Sequence, residues 1–257
     1  MLKVVLFDFH NTLATCDSWL ELEIRTLPGQ VMVQLARHGS IEDVSPRMLS
    51  EATKLFQELR QAVRENGVEL SAVEGARRVL DEMGIHVPEA ELERAVEELE
   101  YACLPEASMV EGADNVLEQL RNDGYRLGVV SSAGYPKFVE LALEKLGLRT
   151  YFSEIVTSTG EGIYKSNPEI FRRAARRLGA EPQEAVHIGD HAAYDVQAAK
   201  EAGLFAIWFT PQARTTARLH NRPWEELARA GSAADAVVDS MEELYEAVVR
   251  LNDRRRA

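Results

Sequence analysis

The sequence predicts an α/β fold: a central parallel sheet between two layers of helices, with an all-helical block inserted near the start. Three observations carry that prediction. From residue 106 onward, short β-branched runs alternate with amphipathic helical stretches. One further run of the same kind, VVLFD, stands alone at the beginning. Between the two lie residues 17–104, rich in Glu, Arg, Leu and Ala and without a strand pattern.

Residues 3–8 (KVVLFD) read as a buried parallel strand, because a run that is apolar on both faces suits a sheet covered on both sides. The turn HNTL follows. Helical apolar spacing then runs over 20–37, 46–66, 71–83 and 88–104. Pro46 and Pro88 stand at helix starts, where a missing N–H costs nothing, and Gly39, Gly67 and Gly84 stand just past helix ends. Ser71 and Glu74 have capping-box spacing. After Glu106, a helix over 113–121 stops at Asn122-Asp123-Gly124, and RLGVVS (126–131) is a strand. A helix over 136–146 ends at Gly147, and 154–157 is a short strand. A helix over 168–178 ends at Gly179, AVHIG (185–189) is a strand, and a helix over 193–202 ends at Gly203. Strands at 205–209 and 236–238 and a helix over 241–251 complete the pattern, with a polar connection and one short helix in 210–232. The expected organisation is a Rossmann-like, three-layer core from 1–15 and 106–257, with 16–105 as the helical insertion.

Composition narrows the function classes. Apolar residues make up 46% of the 257, enough for a sizeable core, and the formal charge of −13 argues against nucleic acid or an anionic membrane as partner. Two widely spaced cysteines, Cys16 and Cys103, exclude a disulfide framework and suit a reducing interior. The opening MLKVVLFDF meets charge too early for a signal peptide, and no apolar run has the length of a membrane span. A cytoplasmic protein is the expectation.

In an open parallel sheet, ligands bind beyond the carboxyl ends of the strands. Asp8 ends VVLFD, Ser131 ends LGVVS, Lys165 follows EIVTS by a short loop, and Asp190 ends AVHIGD with Asp195 five residues on. If the fold holds, these converge on one crevice. A carboxylate can attack phosphorus to give an acyl phosphate. Its repulsion of a phosphate dianion calls for Mg²⁺ held by Asp8 and Asp190, with Lys165 as a further cation and Ser131 as a donor to phosphoryl oxygens.

Asp8-Phe9-His10-Asn11-Thr12-Leu13 resembles the first motif of the haloacid dehalogenase superfamily. VVSS with Ser131 resembles the second, GIYKSNPEIF with Lys165 the third, and HIGDHAAYDVQAAKEAG with Asp190 and Asp195 the fourth. The helical block resembles that family's cap. The resemblance implies that Asp8 is nucleophile and metal ligand and that Asp190 is a metal ligand. It implies that Asp195 is a ligand or its partner, that Ser131 and Lys165 hold the phosphoryl group, and that the backbone carbonyl of His10 completes the Mg²⁺ shell. The implied substrate is a small phosphorylated metabolite.

One departure matters. The family's phosphatases place a second Asp two residues after the nucleophile, to protonate the leaving group and then activate water; here that position is His10. An imidazole can do both tasks, and the competing reading is that His10 only fills space. Asn11 replaces the usual Gly and tolerates a left-handed turn. Among weaker candidates, His191 reads as a loop histidine facing water and His187 as a packed core residue. Trp19, Glu21 and Arg25 read as ordinary helix surface and packing; were they to face the crevice, Arg25 would be an anion contact. The run 89–100 reads as a solvated face, and Arg254–Arg256 as a frayed end. The alternatives are haloacid chemistry, phosphonate cleavage through Lys54 (the sole cap lysine), or a non-catalytic phospholigand-binding module.

Overall fold

The computed structural model describes residues 1–212, 229 and 231–253. The short helix expected within 210–232 falls largely outside them, and the basic end 254–256 falls wholly outside. Six strands form one parallel sheet among the described residues. They are β1 (Val4–Phe7), β4 (Arg126–Ser131), β5 (Glu154–Thr157), β6 (Ala185–Gly189), β7 (Phe205–Phe209) and β8 (Ala236–Val238), in the order β5-β4-β1-β6-β7-β8. The chain leaves β1 towards β4 on one side and later fills β6 on the other, so the direction of winding reverses at β1. That reversal opens a crevice above the strand ends. The register aligns Phe7 with Val129 and with Ile188. Asp8, Ser131 and Asp190 therefore emerge at the same edge.

The period-two geometry of β1 divides the core. Val5 and Phe7 face one side with Leu127, Val129 and Phe138. Val4 and Leu6 face the other with Val130, Ile170 and Phe171. All four β1 side chains are fully buried, which contributes roughly 1.5–3 kcal/mol each. Helices α6 (Ala113–Asn122), α7 (Pro136–Lys145), α9 (Glu169–Arg177) and α11 (Met241–Asp253) cover the faces with their apolar stripes.

The block between β1 and β4 is helical, as expected: α1 (Asp17–Glu21), α2 (Leu27–Arg37), α3 (Pro46–Asn66), α4 (Ala72–Glu82) and α5 (Glu89–Cys103). Ser45 caps α3 by accepting from Met48 N at 3.3 Å, and Gly67 ends it at φ 70°. Three details differ from expectation. The first helix starts earlier and passes through a π-helical stretch, Leu22–Thr26, into α2. The capping box at Ser71 is half formed, because the Glu74 carboxylate pairs with Arg78 at 2.8 Å instead. A small antiparallel ladder, β2 (Ala14–Thr15) with β3 (Ser108–Met109), joins the two crossings between block and sheet. Two-residue strands are too short to leave a periodic signal.

Candidate active site

Asp8 follows β1, and its N–H donates to Ile188 O at 2.8 Å, which continues the sheet pairing one residue further. The chain then turns sharply: the amides of Thr12, Leu13 and Ala14 all point at Phe9 O, and Asn11 takes φ 62°. Asparagine accepts that left-handed backbone more readily than most residues. The turn brings Thr12 Oγ1 back to Asp8 Oδ2 at 3.5 Å. Asp8 Oδ1 accepts from Lys165 Nζ at 2.7 Å. Lys165 also contacts Asp195 Oδ1 closely.

Asp195 sits on a π-helical turn, Ala192–Gln197, that leads into α10 (Ala198–Ala202). Its Oδ1 bonds His187 Nε2 at 2.9 Å and its Oδ2 accepts from His191 N at 2.9 Å. A Cβ on Gly189 would lie 2.2 Å from Asp195 Cγ, so the carboxylate rests directly on that glycine. The ligand atoms of Asp8, Asp190 and Asp195 all lie within 4.8 Å of one another, and all three residues are buried. With Ser131, Lys165 and His10 they line one cavity of about 610 Å³, counting the space open to solvent.

Charge crowding shapes the titration. Burial pushes the Asp8 carboxyl up to about 7; Lys165 opposes the rise and Asp195 reinforces it. Burial disfavours the Lys165 ammonium, but the Asp195 and Asp8 carboxylates outweigh it and hold Lys165 above its ordinary value. Burial likewise works against the Asp195 carboxylate, yet Lys165 and the His187 hydrogen bond keep it well below the usual carboxylate range. Three carboxyls against one ammonium leave room for a divalent cation. Such an ion would favour the ionised form of Asp8 that burial resists. The donor set, all hard oxygens, suits Mg²⁺.

His10 is buried and in the cavity wall, and its Nε2 lies 3.2 Å from both Cys16 N and Cys16 O. Burial pushes its imidazole down to about 4, so the ring is neutral near pH 7. The Cys16 thiol is pushed up by burial and has no catalytic geometry.

Other expectations need correction. His191 does not face water: it is buried, stacked on Tyr194 at 4.2 Å, and its Nδ1 accepts from Ala193 N and Tyr194 N at 3.3 Å. His187 is packed in the core against Phe171, as expected, but also holds Asp195. Trp19 takes the packing side of its expectation: it stacks on Phe138 at 4.7 Å and also lines the cavity. Glu21 and Arg25 pair with each other at 3.6 Å, and neither is part of the cavity wall. Glu100 breaks the solvated run: it is 1% exposed, and burial, reinforced by nearby Glu23, pushes it up to about 9. Lys54 is 76% exposed and pairs with Glu58, away from the cavity.

Sequence reasoning missed the side chains that bind the helical block to the sheet. Glu23 is buried, and its carboxylate accepts from Gly134 N at 2.9 and 3.0 Å and from Tyr135 N at 3.3 Å, in the loop after Ser131. Burial pushes it up to about 6. Glu69 accepts from Ser158 Oγ and from Arg60 Nη1, both at 2.6 Å, and Ser158 Oγ in turn accepts from Ala133 N at 3.0 Å. For Glu23 the only sequence signal was a charged residue at an otherwise apolar helical position; Glu69, in the loop between α3 and α4, carried none.

A family model described as haloacid dehalogenase-like hydrolase matches residues 2–203, and a second HAD-like hydrolase model matches residues 163–244. The chain belongs to the haloacid dehalogenase-like hydrolases. A glyceraldehyde 3-phosphate phosphatase of Methanopyrus kandleri is 33% identical over 212 residues, which are 80% of this chain and 83% of that protein. A phosphoserine phosphatase of Thermus thermophilus is 28% identical over 235 residues, covering 80% and 88%. The crystal structure of an HAD phosphatase from Thermococcus onnurineus superposes with a TM-score of 0.63 at 26% identity, covering 96% of this chain and 98% of that one.

Proposed function

We propose that this hydrolase is a Mg²⁺-dependent phosphatase of a small phosphorylated metabolite, working through an aspartyl phosphate on Asp8. The observation that carries the reading is the buried meeting of Asp8, Asp190 and Asp195 at the strand edge, with Lys165 on Asp8 and Asp195. Phosphoryl transfer asks for positioning and charge compensation more than for covalent chemistry, and this set supplies both. Phosphatase names among the relatives support the same class.

Asp8, Asp190 and Asp195, with the backbone carbonyl of His10, are the groups proposed to hold the cation. When bound, it neutralises the phosphoryl oxygens and keeps Asp8 ionised. Asp8 attacks phosphorus: one Asp8 oxygen gains a bond to phosphorus as the ester oxygen leaves with its electron pair. Lys165 fixes Asp8 Oδ1 and offsets charge on the transferring group, and Ser131 donates to a phosphoryl oxygen. Water then attacks the same phosphorus, and phosphate leaves with regeneration of the Asp8 carboxylate. His10 is proposed to act through Nδ1, the nitrogen that Cys16 does not occupy: the neutral ring that burial favours takes a proton from the attacking water, and for the leaving oxygen it first takes up a proton from solvent and then passes it on. Residues 16–105 act as the cap that closes the cavity and excludes bulk water. The exposure of Lys54 disfavours Schiff-base phosphonate cleavage.

The test is release of inorganic phosphate from an aryl phosphate with MgCl₂ or with EDTA. Asp8→Asn is expected to lower kcat by about 10³-fold or more, and EDTA to abolish turnover reversibly. Full activity of Asp8→Asn, or turnover indifferent to EDTA, overturns the mechanism. Parent-like turnover of His10→Ala at every pH overturns the His10 assignment alone.

A further inference from the structure

The cavity wall contains two cations among the described residues, Lys165 and Arg60. Lys165 is committed to Asp8 and Asp195. Arg60 comes from the cap helix α3 and is 6% exposed. Its guanidinium lies 5.5 Å from the centre of the Tyr164 ring and gives Nη1 to Glu69 Oε1 at 2.6 Å. The other Glu69 oxygen is taken by Ser158, so Glu69 holds the guanidinium by one prong only. Arg60 Nε has no acceptor among the described residues. The neighbouring Glu23 carboxylate is turned to the amides of Gly134 and Tyr135. A buried Nε–H without an acceptor is costly to leave so, and the planar fork of the guanidinium matches a carboxylate.

We infer that Arg60 is a specificity-determining residue that binds a carboxylate at the non-transferred end of the substrate, so that the preferred substrates are short phosphorylated acids. This rests on the phosphatase reading for the word substrate, but the site itself needs only binding. Glu69 and Tyr164 set the guanidinium in place before the ligand arrives, which lowers the ordering cost of recognition. A lysine at this position would keep the charge and lose the fork.

The test is calorimetric titration of the full-length protein in MgCl₂ buffer with two unhydrolysable ligands of equal length, 3-phosphonopropionate and propylphosphonate. The native protein is expected to bind the acid about 10–100-fold more tightly, the range for a hydrogen-bonded ion pair. Arg60→Gln is expected to erase that ratio, and Arg60→Lys to retain part of it. Equal affinities in the native protein overturn the inference with no variant needed, as does a ratio that survives in Arg60→Gln. Should Arg60→Gln fail to fold, Arg60→Lys and the native comparison decide. Discrimination here beside inert Asp8 chemistry would sink the phosphatase reading alone, and equal binding beside intact phosphatase activity would sink Arg60 alone.

Discussion

Glu100→Gln should stabilise the protein, and by an amount that depends on pH. Glu100 lies on α5, is 1% exposed, and neither of its carboxylate oxygens has a hydrogen-bond partner among the described residues. Burial first, and the Glu23 charge second, push its carboxyl from 4.5 up to about 9, against a weaker lowering by the nearby Trp19 indole N–H, which falls short of hydrogen-bond geometry. A carboxyl raised in the folded state favours folding fully below its unfolded value. That contribution is lost as pH rises from 4.5 towards 9. At pH 7.5 the native protein must keep a proton that the unfolded chain has released, over about three pH units, which costs on the order of 4 kcal/mol. Glutamine keeps the shape and has no proton to lose. Relaxation around the carboxyl makes about 2–4 kcal/mol the working expectation, or a rise in Tm of roughly 4–16 °C for a chain of this size. The assay is thermal unfolding of both proteins at pH 4.5, 6, 7.5 and 9. The gap in Tm should be small at pH 4.5 and widen upward. A gap that is constant across that range, or of opposite sign at pH 7.5, refutes the reasoning.

Three further outcomes follow from packing and charge. Gly189→Ala places a methyl 2.2 Å from Asp195 Cγ, and should cost more than about 2 kcal/mol of stability together with most of the phosphatase turnover, read by denaturant melts and phosphate release. His187→Phe keeps the bulk against Phe171 but removes one of the two partners of Asp195 Oδ1, leaving Lys165 alone on it, and should lower kcat/KM about 10–100-fold, whereas a change below twofold would show that Lys165 and the His191 amide suffice to hold Asp195. Lys54→Ala should match the parent on phosphate esters, and borohydride in the presence of a ketone ligand should trap no adduct on the native chain, because the ammonium is out in water.

Much of the framework was legible because it is written in local chemistry. The strands at 126–131, 154–157, 185–189, 205–209 and 236–238 have their expected bounds, since runs such as RLGVVS and AVHIG offer no competing period. Asp8, Ser131, Lys165 and Asp190 could be placed together because strand ends of one parallel sheet share an edge. The buried charges of the helical block were not legible. Glu23 meets Gly134 across 111 residues, and Glu69 meets Ser158 across 89. A charged residue on a helix, as Glu23, or in a short loop, as Glu69, carries no mark of a partner so far along the chain, and Glu100 sat unnoticed in a run of acids for the same reason. The role of His187 was hidden by a sound rule: it does alternate into the core, and the rule does not say that Asp195 waits there.

Glu23 and Glu69 deserve a last consequence. Through them the helical block grips the amides of Ala133 (by way of Ser158), Gly134 and Tyr135, the stretch next to Ser131. Lifting that block off would strip the Gly134 and Tyr135 amides of their acceptor, and the Ser158 hydroxyl that holds Ala133 of its own, and slacken the segment beside Ser131. Enclosure and competence would then be one event, an interlock: a chain caught ajar would neither shelter a reactive acyl phosphate nor be well set to make one.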